Sequence, residues 1–335
     1  MSSRRHLRSG IRDRERRSKA LQIFSGIEEF NARVGRDVRT AIAIGKFDGI
    51  HLGHEKLLKE IMSHKDRGLK SLVFTFERPV SEYFSKEKTG VLATNEEKTG
   101  YLEELGIDYL YMLPVNRETM SCEPGYFVRN ILYEGLHASL IAAGSDLSFG
   151  DRGAGDMALL RRMSEGMGYE TVVIDKVRYK GNDISSTLIR QALAGGNMED
   201  VTAMLGRPYS MEGTVIRGAG LGHTIDMPTA NIVPDPDKLL PPYGVYLSGV
   251  YTDDGRVLSG ITDIGVKPTV SDEDRVCVET YIHGFSEDIY GEHIRLELKR
   301  YMRPEMKFAN VDELKKQLSL DKMNLIMSME NTEKI

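Results

Sequence analysis

Tryptophan is absent from this chain, and cysteine occurs only as Cys122 and Cys277. Two distant thiols make no C-x-x-C pair, which argues against a zinc site and against a disulfide framework. Reduced thiols in a cytoplasmic protein are the expectation. No run approaches the ~18 consecutive apolar residues of a membrane-spanning helix, and no apolar signal segment follows the N-terminus, so no membrane partner is expected. Excess positive charge is also lacking: 45 Lys and Arg stand against 50 Asp and Glu, for a net charge of -5. That balance argues against nucleic acid as a partner. No G-x-x-x-x-G-K-[ST] occurs either, so any kinase here is not a P-loop enzyme.

What is present suits two soluble domains. A length of 335 residues is a prior for about two, and 40% hydrophobic residues suffice for two cores. Basic residues concentrate in positions 1–20, where Arg4, Arg5, Arg8, Arg12, Arg14, Arg16, Arg17 and Lys19 face only Asp13 and Glu15. This stretch reads as a solvated, disordered arm, or as an arm for an anionic partner. The two acids argue against a transit peptide.

From residue 21 the pattern alternates. Thr40–Gly45 and Ser71–Phe76 read as buried strands around an amphipathic helix from His51 to Met62. Strands at Tyr109–Leu113, Leu140–Ala143 and Thr171–Ile174 follow helices at Asn95–Leu105, Pro124–Tyr133 and Asp156–Met167. Such βαβ repetition requires a parallel sheet with right-handed crossovers, a doubly wound α/β domain over 21–206. Helices Ser186–Ala194 and Met198–Leu205 are expected to close it. Beyond Gly206-Arg207-Pro208 come short runs at Gly213–Arg217, Gly244–Val250, Val257–Asp263, Val276–His283 and His293–Tyr301, split by turns such as Asp254-Gly255. They predict a β-barrel or sandwich over 207–330, ending in an amphipathic helix, Val311–Met327.

Two constellations carry chemistry. Gly45-Lys-Phe-Asp-Gly-Ile-His-Leu-Gly-His54 joins the first of these strands to the following helix. Gly45 and Gly49 permit tight turns, and Gly53 lets a phosphate approach the backbone. His51 and His54, three apart at a helix start, face one side, beside free N–H groups and the positive dipole end. They are surface histidines, a metal pair, or groups that stabilise charge on an α-phosphate; no acidic or Cys cluster supports the metal. In the second half, Pro228-Thr-Ala-Asn231 offers hard oxygen ligands at Thr229 and Asn231, which share a face if the segment is extended. The glycines 218, 220 and 222 form a flexible loop, and no crossover helix follows to make it a Rossmann fingerprint. Glu279 is a surface strand carboxylate or a general base.

The first constellation resembles the G-x-F-D-G-x-H-x-G-H signature of nucleotidylyltransferases. With Ile184-Ser-Ser-Thr-Leu-Ile-Arg190, Gly144-Ser-Asp-Leu-Ser-Phe-Gly150 and the P-T-A-N motif, the chain resembles the bacterial bifunctional riboflavin kinase/FMN adenylyltransferase family across roughly 21 to 325. The resemblance implies a Rossmann-like nucleotidylyltransferase domain followed by a Greek-key barrel, with riboflavin, FMN and ATP as substrates and FAD as product. It implies adenylyltransferase contacts to ATP from Gly45, Phe47, Asp48, His51, Gly53, His54, Ser185, Ser186, Thr187 and Arg190, and to flavin from Asp146 and Phe149. In the kinase it implies ATP contacts from Gly218, Gly222, His223, Thr229 and Asn231, Mg2+ ligation by Thr229 and Asn231, flavin contacts from Arg303 and Glu305, and Glu279 as the catalytic base. A monomer or weak homo-oligomer is expected.

The sequence departs from the family at Leu147 for Phe, at Arg78-Pro79 where a His is usual, and at His223, Asp226-Met227 and Asp263. These departures keep two other readings open: a kinase with an impaired adenylyltransferase domain, and a non-catalytic flavin- or nucleotide-binding regulator.

Overall fold

Alternating Ile and Ala in the strand Thr40–Ile44 sort two packing layers onto opposite faces of one sheet. In the computed structural model, which describes residues 20–218, 227–268 and 274–332, every residue of this strand is buried. Ile42 and Ile44 point into a cluster with Phe24, Phe30, Leu72 and Phe74. Ala41 and Ala43 point the other way, toward Leu57, Leu58 and Ile61. Period-two alternation sends successive side chains to opposite faces, and alanine lets a helix lie close.

The described residues form two units, 20–89 with 95–183 and 90–94 with 184–332. The first holds six parallel strands: β1 (Gln22–Phe24), β2 (Thr40–Ile44), β3 (Lys70–Phe76), β4 (Tyr109–Leu113), β5 (Ala138–Gly144) and β6 (Glu170–Ile174). Their order is β1-β4-β3-β2-β5-β6. The order reverses at β2, and ligands of open α/β sheets bind outside the carboxyl ends of the strands at such a switch point. The helices include α1 (Ile27–Val34), α2 (Leu52–Ser63), α3 (Asn95–Leu105) and α4 (Met157–Met167). The stretch expected as an α-helix over Pro124–Tyr133 is a short turn, Pro124–Tyr126, running into a π-helix, Phe127–Gly135. β1 and α1 were not foreseen: three residues of strand carry too little periodicity to register.

The second unit contains α5 (Ser186–Ala194) and α6 (Met198–Leu205), then a closed antiparallel barrel. Its strands are β7 (Tyr209–Ile216), β8 (Thr229–Ile232), β9 (Gly244–Thr252), β10 (Val257–Pro268), β11 (Asp274–Ile282) and β12 (His293–Arg303), in the order β7-β8-β11-β10-β9-β12. α5 and α6 group with the barrel, where α6 packs on β7 and β12, and the two compact units part at Asp183/Ile184.

Tyr209, Tyr246, Val278, Ile294 and Leu296 are buried in the barrel. Among them runs a hydroxyl ladder, in which Thr262 donates to Ser248 at 2.7 Å and accepts from Thr280 at 2.9 Å. On the opposite face, Val245, Leu247 and Ile261 are covered by Leu325 of α7 (Val311–Thr332). Arg303 donates to buried Asp321 of α7 from Nε and, at 2.7 Å, from Nη2, and Gln317 donates to the same carboxylate at 3.0 Å.

Candidate active sites

The 45–54 loop leaves the carboxyl end of β2 and is tied to β3, where Gly45 N donates to Phe74 O and Thr75 Oγ1 donates to Lys46 O. Phe47 and Ile50 hold φ of 47° and 42°, a left-handed conformation that bulky residues adopt only when their surroundings enforce it. Both are 0% exposed, so their packing into the core supplies that enforcement. The Phe47 ring, expected at ATP, thus anchors the loop. A Cβ at residue 45 would press to 3.1 Å from that ring, which explains glycine there.

His51 is the N-cap of α2, and its Nδ1 accepts from His54 N at 3.3 Å. Accepting requires a lone pair on Nδ1, which leaves the proton on Nε2. The His51 and His54 rings stack at 3.8 Å, and Phe47 lies 4.8 Å from His54. A Cβ at residue 53 would sit 3.1 Å from the His51 ring, so Gly53 makes room for the stack. Two imidazoles thereby share a helix N-terminus, where peptide N–H groups favour negative charge. Asp48 lies in the same loop, half-buried.

The remaining residues expected at the adenylyltransferase site are placed as follows. Asp146 is exposed and pairs with Lys176 at 3.1 Å. Phe149 is buried against Phe127, with ring centroids 5.3 Å apart. In the second unit, Ser185 caps α5 by accepting from Leu188 N, Ser186 is half-buried, Thr187 is exposed, and Arg190 donates to Gly90 O at 2.8 Å.

Strand register builds the second site. Asn231 of β8 lies opposite Glu279 of β11, which lies opposite Asp263 of β10, which lies opposite Val245 of β9. Directly opposed residues share a face, so these side chains form a row across the barrel wall on the face that carries Leu247 and Ile261. Arg303 of β12 extends it, opposite Val245. Thr229 is on the same face as Asn231, whose Nδ2 donates to Thr229 Oγ1 at 3.3 Å. Cys277, two before Glu279, donates its thiol to Asn231 Oδ1 at 3.5 Å.

Gly218 crosses close to this row, where an added Cβ would come within 2.6 Å of Asn231 Nδ2. The Glu305 carboxylate lies in the space where residue 265 would carry a Cβ, so Gly265 leaves room for its approach. Arg303, expected at the flavin, points its guanidinium to Asp321. Gly222 and His223, also expected here, lie outside the described residues.

Three residues near these sites were not read as site residues from the sequence: Lys98, whose charge is felt by Asp48, and Cys277 and Asp263, beside Asn231 and Glu279. Lys98 is a 6% exposed lysine in the first turn of α3. Its one sequence signal is its place four residues before buried Leu102, on the helix's inward stripe.

Residues 35–188 match the family described as FAD synthetase, and residues 205–328 match riboflavin kinase. The bifunctional riboflavin kinase/FMN adenylyltransferase of Listeria monocytogenes is 35% identical over 291 residues, covering 86% of this chain and 92% of the relative. The Escherichia coli K12 protein of that name is 34% identical over 284 residues, covering 84% and 90%. A crystal structure named as a macrolide-efflux protein of Streptococcus pneumoniae superposes with a TM-score of 0.79 at 26% identity, covering 92% of this chain and 99% of that one. No helix among the described residues is long and apolar enough to cross a membrane. With both catalytic units matched in order and more than four-fifths of the chain aligned at about one identity in three, this chain belongs to the bifunctional riboflavin kinase/FMN adenylyltransferase family.

Proposed function

We propose that the barrel phosphorylates riboflavin to FMN and that the α/β unit adenylylates FMN to FAD, each with ATP. The observation that carries the kinase half is the cross-strand row of Asn231 and Glu279 with Thr229 beside them. As the base, the Glu279 carboxylate takes the proton of the ribityl 5′-hydroxyl while that oxygen attacks the γ-phosphorus and ADP leaves.

Thr229 and Asn231 would hold Mg2+, which neutralises developing phosphate charge when bound. Their hydroxyl and amide oxygens are hard donors. Mg2+ asks for only one or two protein ligands beside substrate phosphates. Gly218 lines the ATP phosphates, and Glu305 faces the flavin.

In the adenylyltransferase, a phosphate oxygen of FMN attacks the α-phosphorus of ATP and pyrophosphate leaves. No proton need move, so positioning and electrostatics carry the step. The His51 Nε2–H, His54 and the N–H groups at the start of α2 stabilise the α-phosphate. Ser185, Ser186, Thr187 and Arg190 steady the pyrophosphate, the 45–54 loop carries the nucleotide, and Asp146 and Phe149 meet the flavin. The protein acts in the cytoplasm as a monomer or weak homo-oligomer.

The test is a time course with riboflavin, ATP and Mg2+, resolved by chromatography. FMN should appear first and FAD after it. FMN that accumulates without FAD, also when FMN is supplied directly, would reduce the protein to a kinase. Flavin that binds without turnover would make it a regulator.

A further inference from the structure

The buried ammonium of Lys98 has no part in the mechanism above. It lies in the first turn of α3, 6% exposed. Among the described residues its hydrogen bonding is a single 3.3 Å contact to Asn95 Oδ1. Asn95 in turn donates Nδ2 to Glu77 O at 2.8 Å, the first residue beyond β3. Lys98 therefore stands at the carboxyl edge of the parallel sheet, the edge from which the 45–54 loop leaves β2. Its charge is close enough to Asp48 of that loop to be favoured by it.

An ammonium has three donors, and a buried one is costly unless paired and hydrogen-bonded. Burial pushes the Lys98 group down to about 8 against the pull of Asp48. A charge kept at such cost, at the carboxyl edge of the sheet and in the first turn of a helix, has the chemistry of an anion receptor.

We propose that Lys98 is a substrate-binding residue of the adenylyltransferase site that donates to a phosphate group of the substrate pair, the triphosphate of ATP or the monophosphate of FMN. This rests on the adenylyltransferase reading of the first unit. Charge-assisted bonds from a lysine to phosphate are about twice as strong as neutral ones. The remaining Nζ donors would be satisfied by the ligand, while Asn95 keeps the side chain aimed.

Lys98→Met and Lys98→Gln test the idea in the full-length protein, with FMN-to-FAD conversion followed at varied ATP and at varied FMN, and riboflavin phosphorylation followed in parallel. The KM of one phosphate-bearing substrate should rise about tenfold or more, while riboflavin phosphorylation is retained. A rise confined to ATP assigns the triphosphate, and one confined to FMN assigns the monophosphate. Unchanged KM values for both, in variants that still make FMN, overturn the proposal and leave Lys98 a structural residue.

Should both variants fail to fold, wild-type protein carrying isotope-labelled lysine is titrated with inorganic pyrophosphate, ATP and FMN. A shift of the Lys98 side-chain resonance is expected with at least one, and no shift with any overturns the proposal. Wild-type protein that makes FMN but no FAD overturns the adenylyltransferase reading itself, an outcome separate from failure of Lys98 alone.

Discussion

At the scale of single residues, the kinase proposal turns on Glu279. Glu279→Gln keeps volume and hydrogen bonding but removes the proton acceptor. It should abolish FMN formation from riboflavin while FAD formation from supplied FMN persists, as measured by flavin chromatography. Loss of both activities in a folded variant would count against two independent sites. Thr229 and Asn231 were legible in the sequence through the P-T-A-N motif and its spacing, and Glu279 only through the family resemblance. Asp263 was visible only as a departure from the family; its position opposite Glu279 is a property of strand register. Lys98 was invisible as a site residue because one lysine in a charged helix looks like any solvated one. Only packing shows that it is buried.

At the scale of elements, polar ties between neighbours set the stability to be tested. Asp108, at the start of β4, accepts from Ser71 N at 3.0 Å, Ser71 Oγ at 2.9 Å and Lys70 Nζ at 3.1 Å of β3. Burial works to raise its pKa, but these hydrogen bonds win and hold the carboxyl below its ordinary value. A carboxylate held low stabilises the fold fully above the unfolded-state pKa of about 3.9. That contribution is lost as pH falls through the lower folded value. Asp108→Asn should therefore destabilise the protein by about 1–2 kcal/mol at neutral pH. The gap from wild type should close in acid, in denaturant midpoints taken across pH.

The tie between α7 and β12 is of the same kind. Asp321 has a 2% exposed side chain and satisfies Arg303 and Gln317. Asp321→Ala leaves a largely buried guanidinium without its carboxylate and should cost about 3 kcal/mol in chemical denaturation. Periodicity announced α7 and the main strands of both units. It missed β1 and α1, which are short, and it read Phe127–Gly135 as α because a π-helix shares the same apolar spacing over two turns.

At the scale of the whole molecule, the two units have separate sheets, with the 45–54 loop in the first and the Pro228–Asn231 motif in the second. The order of activities belongs here: FMN should precede FAD in the time course, since the product of the barrel is the substrate of the α/β unit. Composition and local pattern were enough for the division into an α/β half and a β half, because each element type has its own period. They placed the join at the Gly206-Arg207-Pro208 break, where turn residues cluster. α5 and α6 nevertheless join the barrel's unit, because the apolar face of α6 finds its partners on β7 and β12.

By itself, the sequence determined the element types, the two chemical motifs and the family resemblance, all of which reside in residue identity and short spacing. Tertiary structure decided the rest. It stacked His51 on His54 through a strained, buried loop, set Asn231, Glu279 and Asp263 in one row, turned Arg303 to Asp321, and sank Lys98 beside Asp48. Each of these depends on register or burial between residues far apart in the chain, and neither is encoded in any local window.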